Sequence, residues 1–281
     1  MNPPTNPPRS NLTTRILSAA VLAPVALGAV WFGGLLFAVF TAAVGVAMAW
    51  EWCRIAFAPT GFSRYLPVFA GAALMSTFLG TVGVVPNFVA VLAVFYLTGI
   101  VLSMYRGGGE LPWVVLGMPY ICAPLFALVS LRGGSDLGFA CVLWLLLVIW
   151  TTDTAAYFTG RTLGGPKLAP AISPKKTWSG ACGGVLGAVI VGYVFALVWG
   201  LPAAGAVAAV SAAISVVGQA GDLIESAFKR RFGVKDSGAL IPGHGGALDR
   251  MDSLITASLA AWLIGMVHGG YGSVAQGVLI W

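Results

Sequence analysis

The sequence predicts an all-α polytopic membrane protein: a single helical bundle of about nine transmembrane helices with its active site on the cytoplasmic side. Three observations predict it. Of 281 residues, 58% are hydrophobic and only 9% are charged, with a mean hydropathy of +0.92; a soluble domain carries about 25% charged residues. Several apolar runs exceed 18 residues, enough to cross about 30 Å of hydrocarbon as helices, the fold in which a single segment satisfies its own backbone in lipid. Threaded back and forth, those runs leave the basic residues almost wholly on one side.

Residues 1–15, MNPPTNPPRSNLTTR, are rich in Pro, Asn and Thr and read as a disordered cytoplasmic tail. No cleavable signal peptide is read there, because the apolar run from Ile16 is long enough to remain as a helix. Spans are expected near 16–32, 34–51, 65–84, 87–104, 113–130, 138–158, 178–199, 202–225 and 249–268, with Gly and Pro interrupting the third to fifth. They form one domain over 16–268, followed by a short non-cytoplasmic tail, 269–281. With the N-terminus inside, the inside segments hold 14 of the 15 Lys and Arg residues, leaving Arg132 outside. A net charge of +6 could suggest nucleic acid, but in such a chain it reads as topology, so no nucleic-acid partner is expected. Glu51-Trp52 reads as an anchor at the membrane interface, and His268, near the opposite face, as incidental. Cys53, Cys122, Cys141 and Cys182 form no CxxC pair and suggest neither a disulfide framework nor a metal site.

The acids carry the functional signal. Asp153, Asp222, Asp249 and Asp252 fall near the cytoplasmic ends of spans six, eight and nine. Acids at such depths are costly and face a bundle interior or a water-filled cavity. Ser211, Ser215, Gln219, Asp222 and Ser226 share one stripe of span eight, and Asp249, Asp252, Ser253 and Thr256 share a face of span nine. Two such stripes should face each other or a cavity; for the hydroxyls, interhelical hydrogen bonding is the simpler reading. Gly180/Gly184 and Gly183/Gly187 on span seven read as close helix packing.

Four polar segments join these acids on one membrane face. They are DTAAYFTGR, with Asp153, Tyr157 and Arg161; SPKKTW, with Ser173, Lys175 and Lys176; GDLIES, with Asp222, Glu225 and Ser226; and Ser226–Asp252. The last holds Lys229, Arg230, Lys235, Asp236, His244, Gly245, Gly246, Asp249, Arg250 and Asp252. Hard oxygen ligands without a Cys/His set favour Mg²⁺ over zinc, and Mg²⁺ leaves positions for substrate phosphates. Lys and Arg bind further phosphate charge. Gly-Gly lets the backbone approach a ligand. Together these residues describe a metal-assisted phosphate-handling site. The rival reading of Lys229-Arg230-Arg231 and Lys175-Lys176 is a positive-inside anchor on anionic headgroups.

The stretch S-x-F-K-R-x(4)-K-D-x-G-x(2)-I-P-G-H-G-G-x-L-D-R-x-D, Ser226 to Asp252, resembles the signature of the phosphatidate cytidylyltransferase (CDP-diacylglycerol synthase) family. GDLIES, SPKKTW and DTAAYFTGR extend the resemblance, which covers residues 150–253, the catalytic half; Arg15-Ile16 and Glu51-Trp52 are only faintly similar. It implies the reaction CTP + phosphatidate → CDP-diacylglycerol + diphosphate in phospholipid biosynthesis. It implies CTP, phosphatidate and membrane lipids as partners, Mg²⁺ with room for a second cation, a homodimer, and the cell membrane as location. Asp222 and Asp249 match the family's metal-binding aspartates, and Lys175, Lys176, Lys229, Arg230 and Arg250 would neutralise phosphate charge. Asp153, Tyr157, Arg161, Ser173, Ser226, Lys235, Asp236, His244, Gly245, Gly246 and Asp252 would support the site or touch the nucleotide. One departure stands out: Ser179 occupies a position where relatives commonly carry an acid, so either that position is not essential or another acid such as Glu225 fulfils its role. Three readings compete: a CTP-dependent polyisoprenol-type lipid kinase, a cation transporter using Asp153, Asp222 and Asp249, and a silent scaffold binding anionic lipid.

Overall fold

In hydrocarbon an apolar run has no water to bond and closes its own N–H···O=C ladder, so the runs become helices. The structure, a computed structural model, describes residues 12–58, 61–83, 85–243, 245–270 and 272–281; His244 lies outside them. In chain order the elements are α1 (Leu12–Phe32), α2 (Gly34–Ala56), α3 (Phe62–Val82), α4 (Val85–Tyr105), α5 (Leu111–Arg132) and α6 (Asp136–Leu163). There follow β1 (Lys167–Ala169), β2 (Ser173–Thr177), α7 (Trp178–Val198), α8 (Ala204–Arg231), α9 (Leu248–Gly269) and α10 (Val274–Leu279). Among the described residues, α2 to α9 are eight helices long and apolar enough to cross a membrane, and Ala20–Phe32 of α1 is a shorter apolar helix. The chain is an all-α, multi-pass membrane protein, and the expected spans fall on α1 to α9.

The ends differ from expectation where the site lies. Spans six and eight were to end near 158 and 225; α6 and α8 run on to Leu163 and Arg231, 28 residues each. At 1.5 Å per residue each is about 42 Å long, more than the hydrocarbon requires. Hydropathy marks where a helix leaves lipid, not where it stops. The added turn of α8 ends on Lys229, Arg230 and Arg231, cations that complement the carbonyl-rich helix terminus. The segment after α6 forms an antiparallel hairpin, with Lys167 opposite Thr177 and Ala169 opposite Ser173, and the tail after α9 carries α10. Neither was expected.

Small residues set the contact of α7 with α6. A Cβ on Gly180 would lie 2.8 Å from the Ala156 carbonyl, and one on Gly187 would lie 2.8 Å from Ala155 Cβ. The close packing read from the glycine spacing is therefore present, and α6 is the partner. The stripe on α8 divides. Ser211 accepts from Trp144 Nε1 at 2.9 Å and Ser215 accepts from Thr152 Oγ1 at 2.9 Å, so these hydroxyls bind α8 to α6. Thr256 of α9 donates to the Val217 carbonyl at 2.9 Å. At the Asp222 end the stripe reaches a cavity.

On the opposite face Arg132 is buried, and among the described residues no carboxylate bonds to it. Its guanidinium donates to the carbonyls of Val30 (2.6 Å), Trp31 (3.0 Å), Gly133 and Ser135 (both 3.2 Å). It thereby joins the end of α1 to the turn between α5 and α6. His268 faces the Gly277 carbonyl at 3.0 Å and stacks on Trp281, which docks α10 against α9.

Candidate active site

A cavity of about 590 Å³ links apolar walls to the acids. Its apolar lining comes from α1 (Leu22, Ala23, Ala26, Val30), α2 (Phe37, Phe40, Val44) and α6 (Val142, Leu146, Ile149, Trp150), with Leu128 of α5 and Ile241, Ala247, Met251 and Leu254 in and before α9. Its polar lining is Thr41, Asp153, Asp222, Asp249, Arg250 and Asp252. Along α6 the wall runs from Val142 to Asp153, a rise of about 16 Å, so a molecule lying there would pass from hydrocarbon to charge. Asp153, Asp222 and Asp252 are close enough to repel one another, with Lys176 and Arg250 as the neighbouring cations. Three carboxylates against two cations favour a further positive charge. Lys176 forms an ion pair with Asp222, which also accepts from Ser226 Oγ at 3.4 Å.

Asp249 is held differently. Its Oδ1 accepts from Lys229 Nζ at 2.6 Å, and its Oδ2 accepts from the Ser237 amide (2.9 Å), Ser237 Oγ (2.9 Å) and the Gly246 amide (2.8 Å). Lys229 is only 9% exposed and also pairs with Glu225 Oε2 at 2.6 Å. Lys229 thus bridges two carboxylates, and Glu225 Oε1 is buried without a hydrogen-bond donor.

Glu51 corrects the reading of an interface anchor. It is 0% exposed, and Trp52 beside it is buried and stacked on Phe228, with ring centroids 3.9 Å apart. Glu51 Oε1 accepts from the Ala247 amide at 2.9 Å, while Oε2 accepts from the Leu248 amide at 2.9 Å and Ser237 Oγ at 2.8 Å. A helix begins with amides that have no partner inside it. Here a carboxylate from α2 supplies partners for the start of α9.

The hairpin lies beside the acids without lining the cavity. Lys176 on β2 reaches Asp222, Lys175 is exposed, and Ser173 is half-buried. Arg230 touches the turn between the strands through the Ile172 carbonyl at 3.4 Å and donates to the Val234 carbonyl at 2.9 Å. Arg161 donates to Tyr157 Oη at 2.6 Å on an exposed face of α6. Ser179, in the acid's place, donates to the Gly164 carbonyl beside the helix-capping Thr177. That position serves the join between α6 and α7. Lys235 and Asp236 are exposed, and neither they nor Tyr157 and Arg161 line the cavity. Gly245 and Gly246 pack against Asp249 and Glu51: a Cβ on Gly245 would lie 2.6 Å from Asp249 Oδ2.

Hard carboxylate oxygens around a negatively biased cavity suit Mg²⁺. Among the described residues no three Asp, Glu, His or Cys side chains could enclose an ion unaided, so phosphate oxygens of a substrate would complete the shell, as they commonly do for this ion. Asp222 is the freer donor of the expected pair, since the Asp249 oxygens already accept four hydrogen bonds.

A family profile described as "Cytidylyltransferase family" matches residues 13–268. A protein named phosphatidate cytidylyltransferase from Brucella suis is 41% identical over 262 residues, 92% of this chain and 94% of its own. One of the same name from Pseudomonas aeruginosa is 34% identical over 281 residues, 93% and 99% of the two chains. Another from Bacillus subtilis is 42% identical over 147 residues, 52% of this chain and 55% of its own.

Proposed function

The chain belongs to the cytidylyltransferase family, and we propose that its reaction, CTP + phosphatidate → CDP-diacylglycerol + diphosphate, takes place at the acidic end of the α1–α2–α6 cavity. The observation that carries this placement is the cavity's double character. Its walls are apolar along three helices, and its polar lining holds four aspartates and an arginine. A substrate that is acyl chain at one end and phosphate at the other fits both. A kinase using the same nucleotide would release CDP instead of diphosphate. A transporter would need acids nearer the membrane midplane.

In this reading the acyl chains lie against Ala23, Ala26 and Phe40, and the lipid phosphate stands beside Arg250. An oxygen of that phosphate attacks the α-phosphorus of CTP. A new P–O bond forms as the bond to the β-phosphate oxygen breaks, and diphosphate departs. The nucleophile is already an anion, so no strong general base is needed. Lys175, Lys176 and Arg230, on and beside the hairpin, neutralise the triphosphate. Asp222, together with phosphate oxygens of the substrates, would hold Mg²⁺, Asp153 and Asp252 would add negative charge beside it, and Asp249 would share in it only by loosening its bond to Lys229. When bound, the ion supplies charge neutralisation for the phosphates and fixes their orientation.

Purified protein in mixed micelles with CTP and phosphatidate tests this. We expect CDP-diacylglycerol formation that requires Mg²⁺ and falls at least a hundredfold in Asp222→Asn. Undiminished turnover in that variant would refute the site. The positive-inside balance supports a cytoplasmic N-terminus and site in the cell membrane. A Trp281→Cys variant in a background lacking the other cysteines should then react with an impermeant maleimide from outside the cell only. The two least covered spans, α4 and α7, have 17% and 28% of their apolar windows buried, and are the surfaces on which a homodimer would form.

A further inference from the structure

The reaction residues come from α6, the hairpin, α8 and α9, yet the residue that fixes the start of α9 comes from α2. Glu51 is fully buried and takes three hydrogen bonds from one loop. Removing a carboxylate from water is costly unless the fold compensates it fully. Core adhesion alone does not require a charge at this point. The loop is also shaped to the carboxylate. A Cβ on Gly238 would lie 2.7 Å from Glu51 Oε1, and one on Gly246 would fall onto both carboxylate oxygens and Ser237 Oγ. The single hydroxyl proton of Ser237 is shared between Glu51 Oε2 at 2.8 Å and Asp249 Oδ2 at 2.9 Å. The chain of contacts therefore runs from α2, through Ser237, to an aspartate lining the cavity.

We infer that Glu51 is a positioning residue for the reaction: it holds the 235–248 loop in shape and, through Ser237, fixes Asp249 and the first turn of α9. It touches no substrate. The first two turns of α9 carry Asp249, Arg250 and Asp252 on the cavity, so a loosened start would misplace all three. The inference rests on the functional reading above only for its kinetic arm.

The test is Glu51→Gln, which keeps the volume but turns an amide N–H₂ toward backbone donors. Two quantities are read: turnover of CTP and phosphatidate, and amide hydrogen exchange of the substrate-free protein. We expect turnover at least tenfold lower and exchange at least tenfold faster, the latter confined to the 235–250 peptide. Ser237→Ala should show a smaller change of the same kind. The double variant should be no worse than Glu51→Gln within twofold, because both act along one connection. Wild-type exchange in the loop of Glu51→Gln overturns the inference whatever the turnover. An exchange increase spread evenly over α2, α5 and α9 also overturns it, since that is a general core role. Should Glu51→Gln fail to insert, Ser237→Ala decides alone by the same two readouts. If the wild-type protein forms no CDP-diacylglycerol, the functional reading falls, while the exchange arm still decides what Glu51 does.

Discussion

Asp222 and Asp249 have the same chemistry and different surroundings, and the surroundings assign their work. Asp222 meets Lys176 and a hydroxyl beside the cavity; Asp249 receives four hydrogen bonds and is 8% exposed. The glycines around Asp249 follow from this crowding. Gly246→Ala should therefore lower turnover at least tenfold and reduce thermal stability, because its methyl group meets Glu51 and Ser237. Gly205→Ala, where a Cβ meets nothing within 4 Å, should change neither rate nor melting temperature. Equal behaviour of the two variants would contradict the packing described. Asp222 and Asp249 were legible in the sequence as acids among apolar residues at a span end. Glu51 was not. Its partners lie 186, 196 and 197 positions away, and an acid beside a tryptophan at the end of a span fits an interface anchor equally well.

At the scale of elements, the long helices were legible because hydrocarbon imposes both their length and their composition. The glycine spacing of α7 announced close packing, though nothing local named α6 as its partner. The hairpin was hidden. Strands of three and five residues are too short for an alternating pattern, and SPKKT contains a proline that argues against a strand. Its basic content was visible, but not that folding back would bring Lys176 onto Asp222. Lys176→Met should accordingly raise the KM for CTP about tenfold, or about 1.4 kcal/mol, with a smaller effect on the KM for phosphatidate. Initial-rate titrations of each substrate distinguish this from a simple topology signal, whose loss would leave both constants unchanged. The overhanging turns of α6 and α8 have a similar origin: once out of lipid, a helix can continue on polar residues that hydropathy does not count.

For the whole molecule, the decisive feature is that N-terminal and C-terminal halves share one cavity. The signature residues lie in the second half, and α1 and α2 supply one part of the apolar wall that they complete. A large side chain on α1 should therefore discriminate between lipids without touching the acids. Ala26→Trp is expected to reduce turnover of long-chain phosphatidate at least tenfold and that of a dioctanoyl analogue less than threefold. Equal losses for both would show that the chains lie elsewhere. The dependence on α1 gives Arg132 a meaning its position does not suggest. It clamps the carbonyls of Val30 and Trp31 at the membrane face opposite the proposed site, where α1 ends. Were the wall to swing for a lipid to enter, this guanidinium would be the fulcrum, and the far end of α1 would travel over the loop at Pro242, which it touches through Ser18. The rate at which lipid is admitted would then be set at the end of α1 farthest from the proposed site.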